Sequence, residues 1–178
     1  MRFEVASLPE AAPILAQPDL IGSTIVCWTV AAVAPMIALY DPAAVGAAAD
    51  ALVAAHAEDT RGIDRTLATR GPHAWVPITR SDARRALLHP LRYSLAYGGR
   101  DRLGDRATTS VDAFLARFGE DARFLTSLSG FVERLDADGR ESLGGYGVDV
   151  ILTGATFELV VVTIDWDRAG LLVATDED

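Results

Sequence analysis

Residues 156–167, TFELVVVTIDWD, carry apolar side chains on both faces that an extended chain presents. One face carries Leu159 and Val161. The other carries Val162 and Ile164. Successive side chains of a strand point to opposite sides of a sheet, so a strand apolar on both faces has to be covered on both. The segment therefore predicts a central strand in a sheet that has other elements packed on each side.

Two further strand-like segments flank it, GVDVILT at 147–153 and LLVAT at 171–175. Gly154 and Ala155 suit a two-residue type II′ turn, which predicts a hairpin with Val148 opposite Val161. A shift of one residue would exchange the two faces, so this register depends on the turn. Together the three segments predict a C-terminal antiparallel sheet over about residues 147–175.

An uncharged apolar run covers residues 20–40, LIGSTIVCWTVAAVAPMIALY, and is long enough to span a bilayer. Asp19 and Asp41 flank it, polar residues interrupt it, and no cluster of basic residues sets an orientation. We therefore expect a buried strand over residues 24–30 with a second strand over 36–40. One strand or a helix remain alternatives for this run. The N-terminus lacks the pattern of a secretion signal, so a cytoplasmic protein that does not enter the membrane is expected.

About four helices are expected around these strands. Asp41 suits an N-cap and Pro42 the first position of a helix that ends near Ala57. A second helix should begin after Thr79 or Ser81, and either Pro90 breaks it or residues 91–97 form a further short helix.

A third helix is expected from Ser110, with Gly119 as its stop. A fourth is expected over residues 120–135, where apolar residues recur at helical spacing: Phe124, Leu128, Phe131 and Leu135. The chain has 178 residues and no repeat or linker, so the sequence predicts a single α+β domain over residues 1–178.

Several kinds of chemistry are excluded or disfavoured by residue content. The chain has no lysine, which excludes lysine-based catalysis, and Cys27 is its only cysteine, which excludes an intramolecular disulfide. We interpret Cys27 as a small buried hydrophobic residue. No phosphate-binding, dinucleotide-binding, serine hydrolase or zinc-protease pattern is present, and no metal or cofactor is predicted.

Asp165 and Asp167 flank Trp166 at the end of the central strand. Carboxylates at i and i+2 on a strand point the same way, so a metal or acid–base pair is one reading, although the sequence supplies no third ligand. Aspartate at the start of a turn is ordinary turn chemistry. The sequence therefore predicts a turn at this position.

His73, His89 and Tyr93 are the candidates for acid–base chemistry, because histidine titrates near neutral pH. Their spacing does not require them to meet, so no catalytic group is predicted. His56 is expected to complement the dipole at the end of the first helix.

Charge is distributed unevenly along the chain. The protein has 25 acidic residues against 16 arginines, a net charge of −9. Residues 80–106 nevertheless carry seven arginines and three aspartates, a net charge of +4. Such arginines either pair with the protein's own acids or bind a small anion through planar donors. The arginines expected in an anion site are Arg84, Arg85, Arg92, Arg100 and Arg102.

Three hypotheses of function follow. The first is a non-enzymatic domain that binds a basic protein through an acidic surface, in the manner of an immunity, chaperone or regulatory protein. Its expected contact residues are Asp136, Asp138, Glu141, Asp165 and Asp167. The second is an enzyme or sensor for a small anion held by the arginines of residues 80–106, and the third is a structural subunit of an assembly. General nucleic-acid binding is disfavoured because phosphates would be repelled by an acidic protein.

Overall fold

The computed structural model describes residues 2–4, 19–21, 24–34, 36–56, 74–96, 98–127, 134–140 and 155–176. The strands in these residues are β1 (Arg2–Glu4), β2 (Asp19–Ile21), β3 (Thr24–Ala34), β4 (Val76–Ile78), β5 (Arg123–Thr126), β6 (Phe157–Ile164) and β7 (Arg168–Asp176). The helices are α1 (Pro42–His56), α2 (Arg80–Arg92) and α3 (Asp105–Leu115). The α+β prediction is confirmed, with three helices in the described residues instead of about four.

The described strands form one antiparallel sheet in the spatial order β1–β3–β7–β6–β5–β4, and β2 pairs with β3 beside β1. The N-terminal strand β3 pairs with the C-terminal strand β7 over eight residues, with Trp28 opposite Leu172. Strand β6 lies between β5 and β7, where Val161 has Thr126 and Leu172 as its cross-strand neighbours. The prediction of a central strand over residues 157–164 is therefore confirmed, as is the strand at 171–175.

Helices cover both faces of the sheet. Leu159 and Val161 share one apolar core with α2 and α3. Val162 and Ile164 face the opposite core, which α1 covers. The two apolar faces of β6 that are visible in the sequence thus correspond to two separate cores, and each supplies hydrophobic stabilisation from its own helical layer.

The helix starts follow local capping chemistry. The N–H of Ala43 donates to Oδ1 of Asp41 at 3.0 Å, which confirms the predicted cap and start of α1. At α2, Thr79 and Asp82 form a reciprocal capping box. Pro90 does not break α2, because it lies in the last turn, where a missing N–H removes a single helical hydrogen bond.

The helix predicted over residues 120–135 is wrong where the structure describes it, because Arg123–Thr126 form β5. Phe124 belongs to the core below α2 and α3, whereas its neighbour Leu125 belongs to the core below α1. Adjacent residues that face opposite sides have the two-residue period of a strand. Phe124 therefore does not belong to a helix, although its spacing to later apolar residues is helical. Residues 128–133 lie outside the described residues.

Residues 36–40 do not form the predicted second strand. Ile37 and Leu39 are buried and their neighbours are exposed, as in a strand. The backbone is tied to turns instead of a ladder, since the N–H of Ile37 donates to the carbonyl of Trp166 and the N–H of Asp41 donates to that of Ala38.

Two further expectations concern the predicted C-terminal hairpin and the uncharged apolar run. Residues 148–153 lie outside the described residues, but the predicted pairing of Val148 with Val161 is wrong, because Thr126 and Leu172 lie on the two sides of Val161. None of the helices in the described part of the chain is long and apolar enough to cross a membrane, and residues 24–34 of the uncharged run form β3.

Candidate functional site

The arginines predicted to bind a small anion are largely engaged by the protein itself. Nε of Arg84 lies 2.7 Å from Oδ1 of Asp112 on α3. Arg85 donates to Asp82 on its own helix and to the backbone carbonyl of Leu135. These two arginines tie α2 to α3 and to the turn after residue 134.

Arg92 is buried, with 8% of its surface exposed. Its guanidinium lies 3.3 Å from Oδ1 of Asp138 and 3.7 Å from Oδ2 of Asp101, and it donates to Oγ1 of Thr108 at 2.8 Å. Opposite charges and a hydroxyl from three segments thus surround one buried cation. This arrangement is typical of a structural ion-pair network.

Arg100 and Arg102 complete the predicted set. Both are exposed, and Arg102 also has an interaction partner. Within the described residues Arg100 has no hydrogen-bond or ionic partner. The pairing of arginines with the protein's own groups, which the sequence left as the alternative to ligand binding, therefore applies to Arg84, Arg85 and Arg92.

Of the candidates for acid–base chemistry, the structure describes His89 and Tyr93. His89 is fully buried, and its Nδ1 donates to the carbonyl of Gly139 at 2.7 Å. Burial lowers the pKa of His89 to about 4, against a smaller opposing effect of the Gly139 hydrogen bond. Tyr93 is also buried, with its ring centroid 5.8 Å from that of His89. His73 lies outside the described residues, so the structure brings only the other two together.

The acids predicted to bind a partner lie at two separate places. Asp136 and Asp138 are exposed in a turn that Arg92 joins to the start of α3. Asp165 instead contacts Gly119, which follows the end of the same helix. Eleven helical residues span about 16 Å, so these acids do not form one patch. Glu141 lies outside the described residues.

Asp165 closes the turn between β6 and β7, as predicted from the sequence. Its backbone N–H donates to the carbonyl of Arg168 at 2.8 Å. Its carboxylate is buried and accepts the N–H of Trp166 on Oδ1 at 2.8 Å and the N–H of Gly119 on Oδ2 at 2.7 Å. Both oxygens are therefore used in holding backbone. The described residues contain no group of three or more potential metal ligands.

Beside this turn lies a surface composed of Met36, Tyr40 and Trp166, which we call the aromatic surface. Met36 and Tyr40 are each 69% exposed and are the exposed large hydrophobic residues of the described chain. The rings of Tyr40 and Trp166 meet edge to face with centroids 5.6 Å apart. Tyrosine, tryptophan and methionine are enriched at protein interfaces, where large apolar groups become buried on binding.

The aromatic surface stands on a fixed backbone. Three hydrogen bonds join the segments that carry it: Ile37 N–H to the Trp166 carbonyl, Gly119 N–H to Asp165, and Arg168 to the Arg117 carbonyl. Arg80 adds donors to the carbonyls at the end of α3, among them that of Phe118 at 3.1 Å. A surface held in this way loses little conformational entropy when a partner binds.

An open groove of about 580 Å³ runs past Met36 and Trp166, and we call it the acidic groove. Its lining carries four carboxylates and two guanidinium groups, a net charge of −2, from Glu120, Asp121, Asp165, Asp167, Arg117 and Arg168. Asp167 pairs with Arg168 at 2.8 Å, and this hydrogen bond lowers the pKa of Asp167. Glu120 and Asp121 are exposed and have no partner within the described residues. These two acids are thus available to a cation.

Sequence reasoning identified Asp165 and Asp167 but missed Met36, Tyr40, Glu120 and Asp121. Residues 36–40 were interpreted as a second strand, which would have placed Tyr40 in a sheet. Glu120 and Asp121 were assigned to a helix. Their meeting depends on the contact of residues 117–121 with the β6–β7 turn, and no local pattern encodes that contact.

Comparisons with protein-family models, with curated proteins and with solved structures find no match for this chain.

Proposed function

We propose that this protein is a non-enzymatic binding domain that engages a basic protein partner through the aromatic surface and the acidic groove. The observation that carries the proposal is the exposure of Met36 and Tyr40 beside Trp166, next to the acids Glu120 and Asp121, which have no partner among the described residues. Exposed aromatic and methionine side chains supply the apolar contact that gives most of the affinity at interfaces. The acids supply the preference for a positive partner.

The charge of the whole chain supports the same class of partner. A net charge of −9 attracts a cationic protein over long range and raises its rate of association. Because exposed charges are screened within about 10 Å at 0.1 M salt, binding of this kind should weaken as salt is added. The apolar contact is not screened, so some affinity should persist at high salt.

The acids that are proposed to contact the partner differ from those that the sequence suggested. Asp136 and Asp138, which the sequence suggested, lie near the other end of α3 and are not expected to touch the partner. Asp165 contributes by fixing the groove, because its carboxylate holds two backbone amides. Asp167 lies in the groove but is already paired with Arg168.

The alternative functions have less support. An enzyme or sensor for a small anion would need the arginines of residues 80–106 to be available, and three of the five expected ones bind the protein's own groups. Phosphate or a nucleotide that raised the melting temperature, with loss of the effect in Arg100→Gln, would favour it. A structural subunit would form a discrete oligomer, which a mass measurement in solution would detect.

The experiment is a pull-down from the native host at low and at high salt, with wild-type protein and the double variant Met36→Ala/Tyr40→Ala. We expect one stoichiometric basic protein to be retained by the wild type, to decrease as salt rises, and to be lost from the variant. The control is Arg100→Ala/Arg106→Ala, which removes two exposed side chains outside the groove and should retain the partner. Equal capture by the Met36/Tyr40 variant would contradict the proposed surface, and a wild-type dimer with no captured protein would contradict the proposed partner.

A further inference from the structure

A second cavity lies between α1 and the edge of the sheet formed by β4 and β5. Its volume is about 620 Å³, within the range of roughly 300–1,000 Å³ typical of small-molecule sites. Its lining is mainly apolar and includes Leu39, Val45, Trp75, Ile78, Phe124 and Leu125. A cavity of this size and lining can enclose the apolar body of a ligand.

The walls of this cavity are held in place. Trp75, which precedes β4, donates its Nε1–H to Oδ1 of Asp50 on α1 at 2.8 Å, so one hydrogen bond joins the two sides. Pro77 gives β4 no N–H at its centre, which disfavours addition of a peptide strand to this edge. The cavity is therefore better suited to a small molecule than to an extended chain.

Three charged side chains line the cavity: Arg80, Arg123 and Glu120. The donors of Arg80 are directed to backbone carbonyls at the end of α3. Arg123 is different. Its Nε donates to the carbonyl of Leu39 at 3.1 Å, and its guanidinium lies 5.5 Å from the ring centroid of Tyr40. Its two terminal nitrogens have no acceptor within the described residues.

A guanidinium that is oriented through Nε but retains its terminal N–H groups is suited to bind a carboxylate through two parallel hydrogen bonds. Leu39 and Tyr40 fix the position of the Arg123 head, and the apolar lining begins beside it. We propose that this cavity binds an amphiphilic carboxylate, with its apolar body against Trp75 and Leu125 and its carboxylate on Arg123. The site adjoins the proposed partner surface, since Glu120 lines both and Tyr40 contacts Arg123, but binding of a small carboxylate does not require the partner.

The sign of the ligand's charge has to be tested, because Glu120 also lines the cavity and would attract a cation to it. The test compares decanoate with decyltrimethylammonium, whose alkyl chains differ by one methylene and whose head groups have opposite charge. Binding of each is measured by calorimetry on the folded full-length chain. We expect decanoate to bind and decyltrimethylammonium to bind at least about tenfold more weakly, as for a charge-assisted hydrogen bond.

Two variants test the two parts of the site. Arg123→Gln should weaken decanoate binding by about tenfold or more, whereas Arg100→Gln, an exposed arginine elsewhere, should leave it unchanged. Gly46→Leu should abolish binding by filling the cavity, since Gly46 lines it and an added Cβ would meet no atom within 4 Å. This second variant keeps the test valid if Arg123→Gln unfolds the protein, because leucine is favourable within a helix.

The proposal is overturned if the cation binds as tightly as decanoate, or if neither ligand binds. It is equally overturned if Arg123→Gln and Gly46→Leu bind decanoate as the wild type does. None of these results depends on a protein partner, so failure of this site and failure of the proposed function can be told apart.

Discussion

The carboxylate of Asp165 accepts the backbone N–H of Gly119 at 2.7 Å, across 46 positions of sequence. This hydrogen bond joins the β6–β7 turn to the chain that follows α3. It brings Trp166 beside Glu120 and Asp121, and so forms the acidic groove. In the sequence, Asp165 could be one of a pair of acids that form a site. In the fold, its carboxylate holds two backbone N–H groups.

We expect Asp165→Asn to destabilise the protein by about 1–3 kcal/mol, because an amide has one acceptor oxygen for the two N–H groups that Asp165 now satisfies. The free energy of unfolding from urea titration checks this, and hydrogen exchange at the Gly119 amide should accelerate. Asp167→Asn is the matched control. Its ion pair with Arg168 is exposed, so its loss should cost less than about 1 kcal/mol. Equal costs for the two variants would refute the structural role of Asp165.

His89 makes stability depend on pH in mildly acid solution. Its pKa is about 4 in the folded protein, whereas an unfolded histidine titrates near 6.5. Between these values the unfolded chain binds the extra proton, so the stability gained from a neutral His89 is fully present above pH 6.5 and is lost as pH falls towards 4. The difference between these two pKa values corresponds to about 3 kcal/mol in the free energy of unfolding.

The measurement is the free energy of unfolding from pH 7 to pH 4 for the wild type and His89→Asn. Asparagine can still donate to Gly139 but does not titrate. We expect the variant to be less stable at pH 7 and to show a shallower decline below pH 6.5. Parallel curves would mean that folding does not lower the pKa of His89.

Gly170 lets two aromatic rings lie on the backbone of β7. A Cβ at this position would come within 2.6 Å of Phe118 Cζ and 2.7 Å of Phe114 Cζ. Gly170→Ala should therefore destabilise the protein by about 1–3 kcal/mol through overpacking. Gly46→Ala on α1 has free space around the new methyl group and should instead stabilise by about 0.5–1 kcal/mol. Thermal unfolding compares the two, and a stabilised Gly170→Ala would contradict the packing described.

Arg92 and Arg84 should differ although both belong to the arginine-rich segment. Arg92→Met removes a buried cation that holds Asp138, Asp101 and Thr108, and we expect a loss of about 2–4 kcal/mol. Arg84→Met removes a partly exposed pair with Asp112 and should cost less than about 1 kcal/mol. Chemical denaturation of both variants tests this order. The reverse order would return Arg92 to the list of ligand-binding candidates.

Local patterns predicted the elements whose formation depends on neighbouring residues. Asp41 and Pro42 marked the start of α1, and the two apolar faces of β6 marked the centre of the sheet. The same local reasoning failed at residues 123–126, where four residues of strand lie within a run of apolar residues at helical spacing. It also placed a break at Pro90, because it could not know that α2 ends two residues later.

The candidate functional site was harder to predict from the sequence, because the residues that contact one another there are far apart along the chain. Arg84 and Asp112 are 28 positions apart, and Arg85 and Leu135 are 50 apart. A count of charges cannot tell such internal pairs from a free patch. Exposure of Met36 and Tyr40 is likewise a property of the tertiary fold, since each belongs to a segment that is half buried.

The proposed function requires Glu120 and Asp121, beside the aromatic surface, to meet a basic partner. The most direct measurement is the dissociation constant of the captured partner at low and high salt, for wild type, Glu120→Gln/Asp121→Asn and Asp136→Asn/Asp138→Asn. Both variants remove two negative charges, but only the first pair lies in the acidic groove. We predict about three- to tenfold weaker binding and a flatter salt dependence for the first, and near-wild-type values for the second. Equal effects of the two variants, or a larger effect of the second, would contradict the account.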